Sequence, residues 1–137
     1  MITNLYEAIG GDETIRRLVN AFYPRVAADP DLSPIFPEDL TETVEKQRLF
    51  LTQFLGGPPL YTQTHGNPRM RARHLPFEIT PTRREAWLRT MAAAMDEIGL
   101  AGEPREEFFE RLRLTAHHME NSPEPTSPPP GGVGSGG

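Results

Sequence analysis

Arg71-Ala72-Arg73-His74-Leu75-Pro76-Phe77-Glu78-Ile79, followed by Thr80-Pro81 and then by Trp87, is the stretch on which the reading of this chain turns. A short helix over about Arg69 to Leu75 has to stop before Pro76, since proline lacks an N–H and pushes the preceding residue out of the helical region. His74 is thereby placed at the end of a short helix. Thr80-Pro81 reads the other way, as a start: a cap residue whose oxygen can accept a backbone N–H, then proline at the first helical position. Trp87, Leu88, Met91, Met95 and Ile98 follow on one face of that helix, which ends near Gly99.

Working outward, the other strong periodic signals are also helical, and no segment sustains period-two alternation. Thr3 to Ile9 predicts a short first helix closed by Gly10-Gly11, with Asp12 as N-cap of the next. Ile15, Leu18, Val19, Phe22 and Val26 carry that second helix to about Ala28, and Pro24 inside it is expected to kink it or remove a bond. Asp29-Pro30-Asp31 and Ser33-Pro34 mark a turn. A helix from about Glu38 to Leu55 presents Leu40, Val44, Gln47, Leu51 and Phe54, and Gly56-Gly57-Pro58-Pro59 stops it. Leu60 to Arg69 reads as loop. Gly102 and Pro104 open the last helix, with Phe108, Leu112, Thr115 or Ala116, and Met119 facing inward. The chain reads as all-α.

The 137 residues fit one domain, read as residues 1–121, with a Pro/Gly-rich tail over 122–137 whose single aliphatic residue is Val133. Such a tail buries too little to offset the entropy of ordering, so it reads as disordered. There is no cysteine, which excludes disulfides and thiolate metal sites. No signal peptide is read at the N-terminus and no apolar run reaches membrane-spanning length, so the expectation is a soluble cytoplasmic chain without a membrane partner. A net charge of −5 argues against nucleic acid, although Arg69, Arg71 and Arg73 form a local basic strip.

Gln47 is a polar residue in an apolar stripe, costly there unless it is hydrogen-bonded. Thr43 lies one turn before it, Tyr23 adjoins Phe22 at the edge of the second helix's stripe, and Trp87 brings one N–H donor. Two readings stand: each group is satisfied locally, or the four converge on a buried polar guest. Of the four histidines, His117 and His118 are neighbours on a helix, roughly 100° apart, and do not face one centre. His65 sits in a loop and reads as exposed. Zinc spacing is absent.

The segment around His74, taken with Tyr6-Glu-Ala-Ile-Gly-Gly11, Ala21-Phe-Tyr23, Ile35-Phe-Pro-Glu-Asp39, Phe54-Leu-Gly-Gly-Pro58 and Ala116-His-His-Met-Glu-Asn121, resembles the truncated haemoglobins, specifically their second group. The motifs stand in the family's order over residues 3–122. The resemblance implies a globin-like two-over-two helical sandwich with a short proximal helix. It implies haem b (iron protoporphyrin IX) as cofactor, with His74 as the iron's ligand. Tyr23, Trp87, Gln47 and Thr43 would be the distal polar groups. Phe36 would pack on the haem, and Phe50, Leu51, Met70, Phe77, Ile79, Met91 and Leu112 would form the apolar cage. Arg73 would pair with a propionate, with Lys46 and Tyr61 as weaker candidates. Pro24 departs from the family pattern and puts the aim of Tyr23 in doubt, which places Trp87 ahead of it as donor.

The function so implied is binding of dioxygen at ferrous iron, the oxygen-carrier class, with nitric oxide, carbon monoxide, sulfide and peroxide as further ligands. A second reading is redox chemistry on the same haem, nitric oxide dioxygenation or peroxidase-type turnover; it needs a separate reductase, since the chain holds no flavin or dinucleotide domain. A third is a haem-free helical binding module. Monomer and homodimer both stay open.

Overall fold

The computed structural model describes residues 4–66 and 79–119. Among them the chain forms α1 (Leu5–Ile9), α2 (Gly11–Ala28), a 3-10 turn (Ser33–Ile35), α3 (Thr41–Phe54), α4 (Leu60–His65), α5 (Pro81–Glu97) and α6 (Glu103–Met119), with no strand. The fold is all-helical, as expected. The predicted helix around His74 and the tail over 122–137 lie outside the described residues.

The stripe read in α2 is the centre of the molecule. Ile15, Leu18, Phe22 and Val26 are completely buried, and α2 packs against α3 on one side and α5 on the other. Leu51 of α3 and Leu55 just past its end, Met91, Ala94 and Met95 of α5, and Phe108 and Leu112 of α6 complete one continuous core. Each fully buried large side chain contributes roughly 1.5–3 kcal/mol of transfer free energy.

Pro24 does not break α2. Its ring is exposed, and the helix runs on to Ala28, where the Asp29 N–H closes on the Val26 carbonyl at 3.1 Å. The cost is limited to the one hydrogen bond that proline cannot make.

Asp12 is not the N-cap of α2. Gly10 adopts the left-handed backbone (φ 112°) and serves both as C-cap of α1 and N-cap of α2, so α2 starts at Gly11. A Cβ at Gly10 would stand 2.3 Å from Thr14 Oγ1. With Asp12 already in the first turn, its carboxylate accepts from Arg16 at 2.5 Å and from Arg48 of α3 at 3.0 Å. Arg48, largely covered, also pairs with Glu45, so this cluster ties the start of α2 to the middle of α3.

Leu60–His65, read from sequence as loop, is a helix. Six residues carry too little periodicity to show, and the helix is fixed from outside: Gln53 Nε2 donates to Thr62 Oγ1 at 2.7 Å, and the Thr62 N–H donates to Gln53 Oε1 at 2.9 Å. Helix α3 begins at Thr41 rather than Glu38, with Asp39 Oδ1 accepting the Thr41 N–H at 3.0 Å. Thr80 caps α5 as expected, its Oγ1 accepting the Arg83 N–H at 3.2 Å with Pro81 at the first position.

The first helix sits on the corner between α3 and α4. The Tyr6 N–H donates to the Leu55 carbonyl and Asn4 Nδ2 to the Gly56 carbonyl, each at 2.9 Å. Gly57 lets the two segments touch: a Cβ there would meet the Tyr6 ring at 2.8 Å and the Thr52 carbonyl at 2.9 Å.

Candidate functional site

The described helices do not close on one another everywhere. Between α2, the 3-10 turn, α3 and the two C-terminal helices they leave a cavity of about 480 Å³, within the roughly 300–1,000 Å³ of small-molecule and cofactor sites. Most of its wall is apolar. Leu32 and Phe36 come from the 3-10 region, Phe50 from α3, Ile79 from the approach to α5, and Leu112 and Met119 from α6.

The polar groups on the wall include the four residues whose sequence positions were anomalous. Tyr23 projects from α2, Thr43 and Gln47 from successive turns of α3, and Trp87 from α5, and all four line this one cavity. Among the described residues none of their side chains has a hydrogen-bonding partner, while no buried side-chain polar atom is left sealed without one. The Tyr23 hydroxyl, Trp87 Nε1, the Gln47 amide and Thr43 Oγ1 therefore open on the cavity. The four side chains are thus not satisfied locally among the described residues, and they share one cavity.

Ring packing sets where the donors stand. Phe22, fully buried, meets Tyr23 edge-on at 4.9 Å and Trp87 edge-on at 5.3 Å, and Tyr23 in turn meets Phe36 at 6.1 Å. On the α3 side Phe50 stacks on Phe54 at 5.4 Å and stands edge-on to Tyr61 at 6.0 Å. Burial pushes the Tyr23 hydroxyl well above the usual phenol range, so it keeps its proton, and remains a donor, at any working pH.

Charged groups stand at the rim. Lys46 pairs with Glu42 at 3.1 Å. Arg83 Nε donates to the Asp31 carbonyl at 3.2 Å, and Arg84 pairs with Glu85 at 2.6 Å.

Of the residues singled out from sequence, the cavity brings together Tyr23, Phe36, Thr43, Lys46, Gln47, Phe50, Tyr61, Ile79, Trp87 and Leu112. Leu51 and Met91 are not on its wall. Each lies one helical turn beyond a wall residue, Gln47 and Trp87 respectively, and both are fully buried in the core around α2. Met70, Arg73, His74 and Phe77 lie outside the described residues. His65, expected exposed in a loop, is half-buried at the end of α4 with its ring 5.1 Å from that of Tyr61. Sequence reading missed Leu32, Ile35, Glu42, Arg83, Arg84 and Met119 on the wall. Arg83 and Arg84, four and three residues before Trp87, share its face, so helical spacing was the available signal.

A family model described as bacterial-like globin matches residues 4–121. The group 2 truncated hemoglobin YjbI of Bacillus subtilis is 62% identical over 119 residues, spanning 87% of this chain and 89% of its own. The chain belongs to the group II truncated haemoglobins. The crystal structure of the group II truncated hemoglobin from Bacillus anthracis superimposes on this truncated haemoglobin with a TM-score of 0.89 and 60% identity, over 90% of this chain and 95% of that one. The X-ray structure of a truncated oxygen-avid haemoglobin from Bacillus subtilis gives 0.85 and 61%, over 87% and 100%. The two-over-two sandwich expected from the resemblance is therefore the fold.

Membership in the globins implies a haem, and the wall of this truncated haemoglobin fits one. A flat apolar macrocycle needs an apolar slot, a polar ligand beside it needs donors without other duties, and carboxylates need cations at the rim. Leu32, Phe36, Phe50, Ile79 and Leu112 give the wall an apolar stretch, Tyr23, Gln47 and Trp87 bring donors to it, and Lys46 is a cation on it, so the residues present would fit that group. Among the described residues no group of three histidine or acidic side chains offers a competing metal site, and no helix is long and apolar enough to cross a membrane.

Proposed function

We propose that this truncated haemoglobin holds haem b, with His74 as the protein's ligand to the iron, and that it retains dioxygen through hydrogen bonds from Trp87, Tyr23 and Gln47. When bound, the haem supplies a ferrous iron able to take up a diatomic gas. The chain supplies everything that decides how long the gas stays. The observation carrying the reading is the convergence of donors from α2, α3 and α5, unpartnered among the described residues, on one mostly apolar cavity.

A dioxygen held beside that iron would present polarised oxygen atoms that accept hydrogen bonds. The indole N–H and the phenol O–H can only meet that need by donating, and the amide of Gln47 has two N–H groups to give. In a pocket of low polarity each such bond counts for more than in water, roughly 0.5–1.5 kcal/mol. Two or three together slow escape by roughly fivefold to two-thousandfold, since about 1.4 kcal/mol is tenfold. Slow release suits scavenging or chemistry better than delivery. The description of the Bacillus subtilis structure as oxygen-avid supports the same direction. Lys46 would meet a propionate at the rim by leaving Glu42, an exchange of one exposed carboxylate for another. Residues 1–121 are taken as the globin domain and 122–137 as a Pro/Gly-rich tail.

Optical spectra of the ferric, ferrous and carbonmonoxy forms, repeated on His74→Gly, test the assignment. The purified chain should show a Soret band that moves between these states. The variant should lose the haem or hold it with an altered ferrous spectrum that added imidazole restores. A His74→Gly protein with the parent's spectra would remove His74 from the iron.

A further inference from the structure

We propose that Phe22 is a positioning residue that locks Trp87 and Tyr23 together, so that the two donors act on a ligand as one unit; this rests on the function proposed above. Phe22 is not on the cavity wall, and nothing in its chemistry suits it to touch a gas or a metal. It stands between the two donors instead. Its ring meets Tyr23 at 4.9 Å with planes at 81°, and Trp87 at 5.3 Å with planes at 68°. Both are edge-to-face contacts, the arrangement the aromatic quadrupole favours and one that resists rotation of either ring.

Two features make this support necessary. Neither donor is fixed by a hydrogen bond among the described residues, so ring packing alone sets their aim. The turn that carries Tyr23 also lacks one backbone bond, because Pro24 has no N–H to give the Asn20 carbonyl four residues before it. Phe36 meets Tyr23 as well, at 6.1 Å, but it belongs to the 3-10 region, and the ring that pairs with Trp87 is that of Phe22. Phe22, with no exposed surface in the middle of α2, is the common support. A donor that swings by a few tenths of an ångström loses much of its hydrogen bond, since strength falls steeply with distance and angle.

The test uses full-length protein in the diamagnetic carbonmonoxy state and the oxy state. Trp87 is the chain's only tryptophan, so its indole N–H gives a single resonance whose position reports the neighbouring ring. Phe22→Leu should shift that resonance and raise the dioxygen dissociation rate about three- to tenfold. In a background carrying both Trp87→Phe and Tyr23→Phe, which removes both donors, the same substitution should change the rate by less than about twofold, because linked residues are non-additive. Leu18→Ala, another completely buried position of α2, controls for general loosening of the core. It should leave both the indole resonance and the off-rate near the parent's. Phe22→Met, which keeps bulk and flexibility without a π face, replaces Phe22→Leu should that variant fold poorly. The inference is overturned by an unmoved resonance, by an unchanged off-rate, by additivity in the background lacking both donors, or by equal effects from Leu18→Ala. A purified chain without a Soret band would sink the haem reading instead, and the indole resonance would still decide whether Phe22 holds Trp87.

Discussion

Tyr23→Phe separates retention of a ligand from stability of the fold, because the structure gives the two effects different signs. The hydroxyl is on a residue with 4% of its surface exposed, yet it makes no hydrogen bond among the described residues and opens on the cavity. Deleting it removes no protein–protein bond, and the remaining phenyl ring keeps its edge contacts with Phe22 and Phe36. Stability of the ligand-free protein should therefore be unchanged or rise by up to about 1 kcal/mol, the gain from no longer burying a polar group without a protein partner. Retention should move the other way. One hydrogen bond of about 0.5–1.5 kcal/mol to a polarised ligand corresponds to roughly a two- to tenfold faster release. Urea unfolding of the ligand-free protein and stopped-flow displacement of dioxygen by carbon monoxide measure the two quantities on one preparation. A variant that loses stability while releasing oxygen at the parent's rate would show that the hydroxyl serves the fold, and would remove Tyr23 from the donors.

Further outcomes follow from the same geometry. Trp87→Phe keeps the ring against Phe22 but deletes the indole N–H, and should also raise the off-rate by about two- to tenfold in the same displacement assay. Gly57→Ala puts a methyl group against the Tyr6 ring and the Thr52 carbonyl and should cost roughly 1–3 kcal/mol in denaturant unfolding, with no change in the optical spectra of the protein that stays folded. The Asp12 carboxyl is held below its ordinary range by the Arg16 guanidinium first and by Arg48 as well, and that of Glu45 is held down by Arg48. A carboxyl whose folded pKa is depressed lends stability above its unfolded pKa of about 4, and loses it as pH falls through the folded value. Asp12→Asn should thus be less stable than the parent near neutral pH by under about 1 kcal/mol, the group being well exposed, and the gap should close in strong acid. Equal gaps at both pH values would argue that the cluster acts through packing rather than charge.

Much of this molecule was legible because its signals are local. The stripe Ile15 to Val26 and the Thr80-Pro81 start each follow from rules that involve a few neighbouring residues, and both stand in the structure. Gln47 and Thr43 were visible as polar residues out of place, and the structure puts them on the cavity with Tyr23 and Trp87. What could not be read depends on partners far along the chain. The helix at Leu60–His65 is held by Gln53, and Asp12 was drawn from a capping role by Arg16 and Arg48 once Gly10 had taken the turn. Leu51 and Met91 show the limit of helical spacing. A stripe says which face is inward, but not at which turn the cavity ends and the solid core begins.

The stitching of α1 to residues 55 and 56 has a consequence for the order in which the molecule assembles. A five-residue helix does not persist by itself in water, and this one is secured by partners some fifty positions downstream. During synthesis its residues leave the ribosome before those of α3, and the carbonyls that hold them appear only once the end of α3 has emerged. This helix is thus made early and settled late. Hydrogen exchange should register this: the Tyr6 amide ought to exchange together with the Leu55–Gly57 corner rather than with α2, its immediate neighbour in the chain.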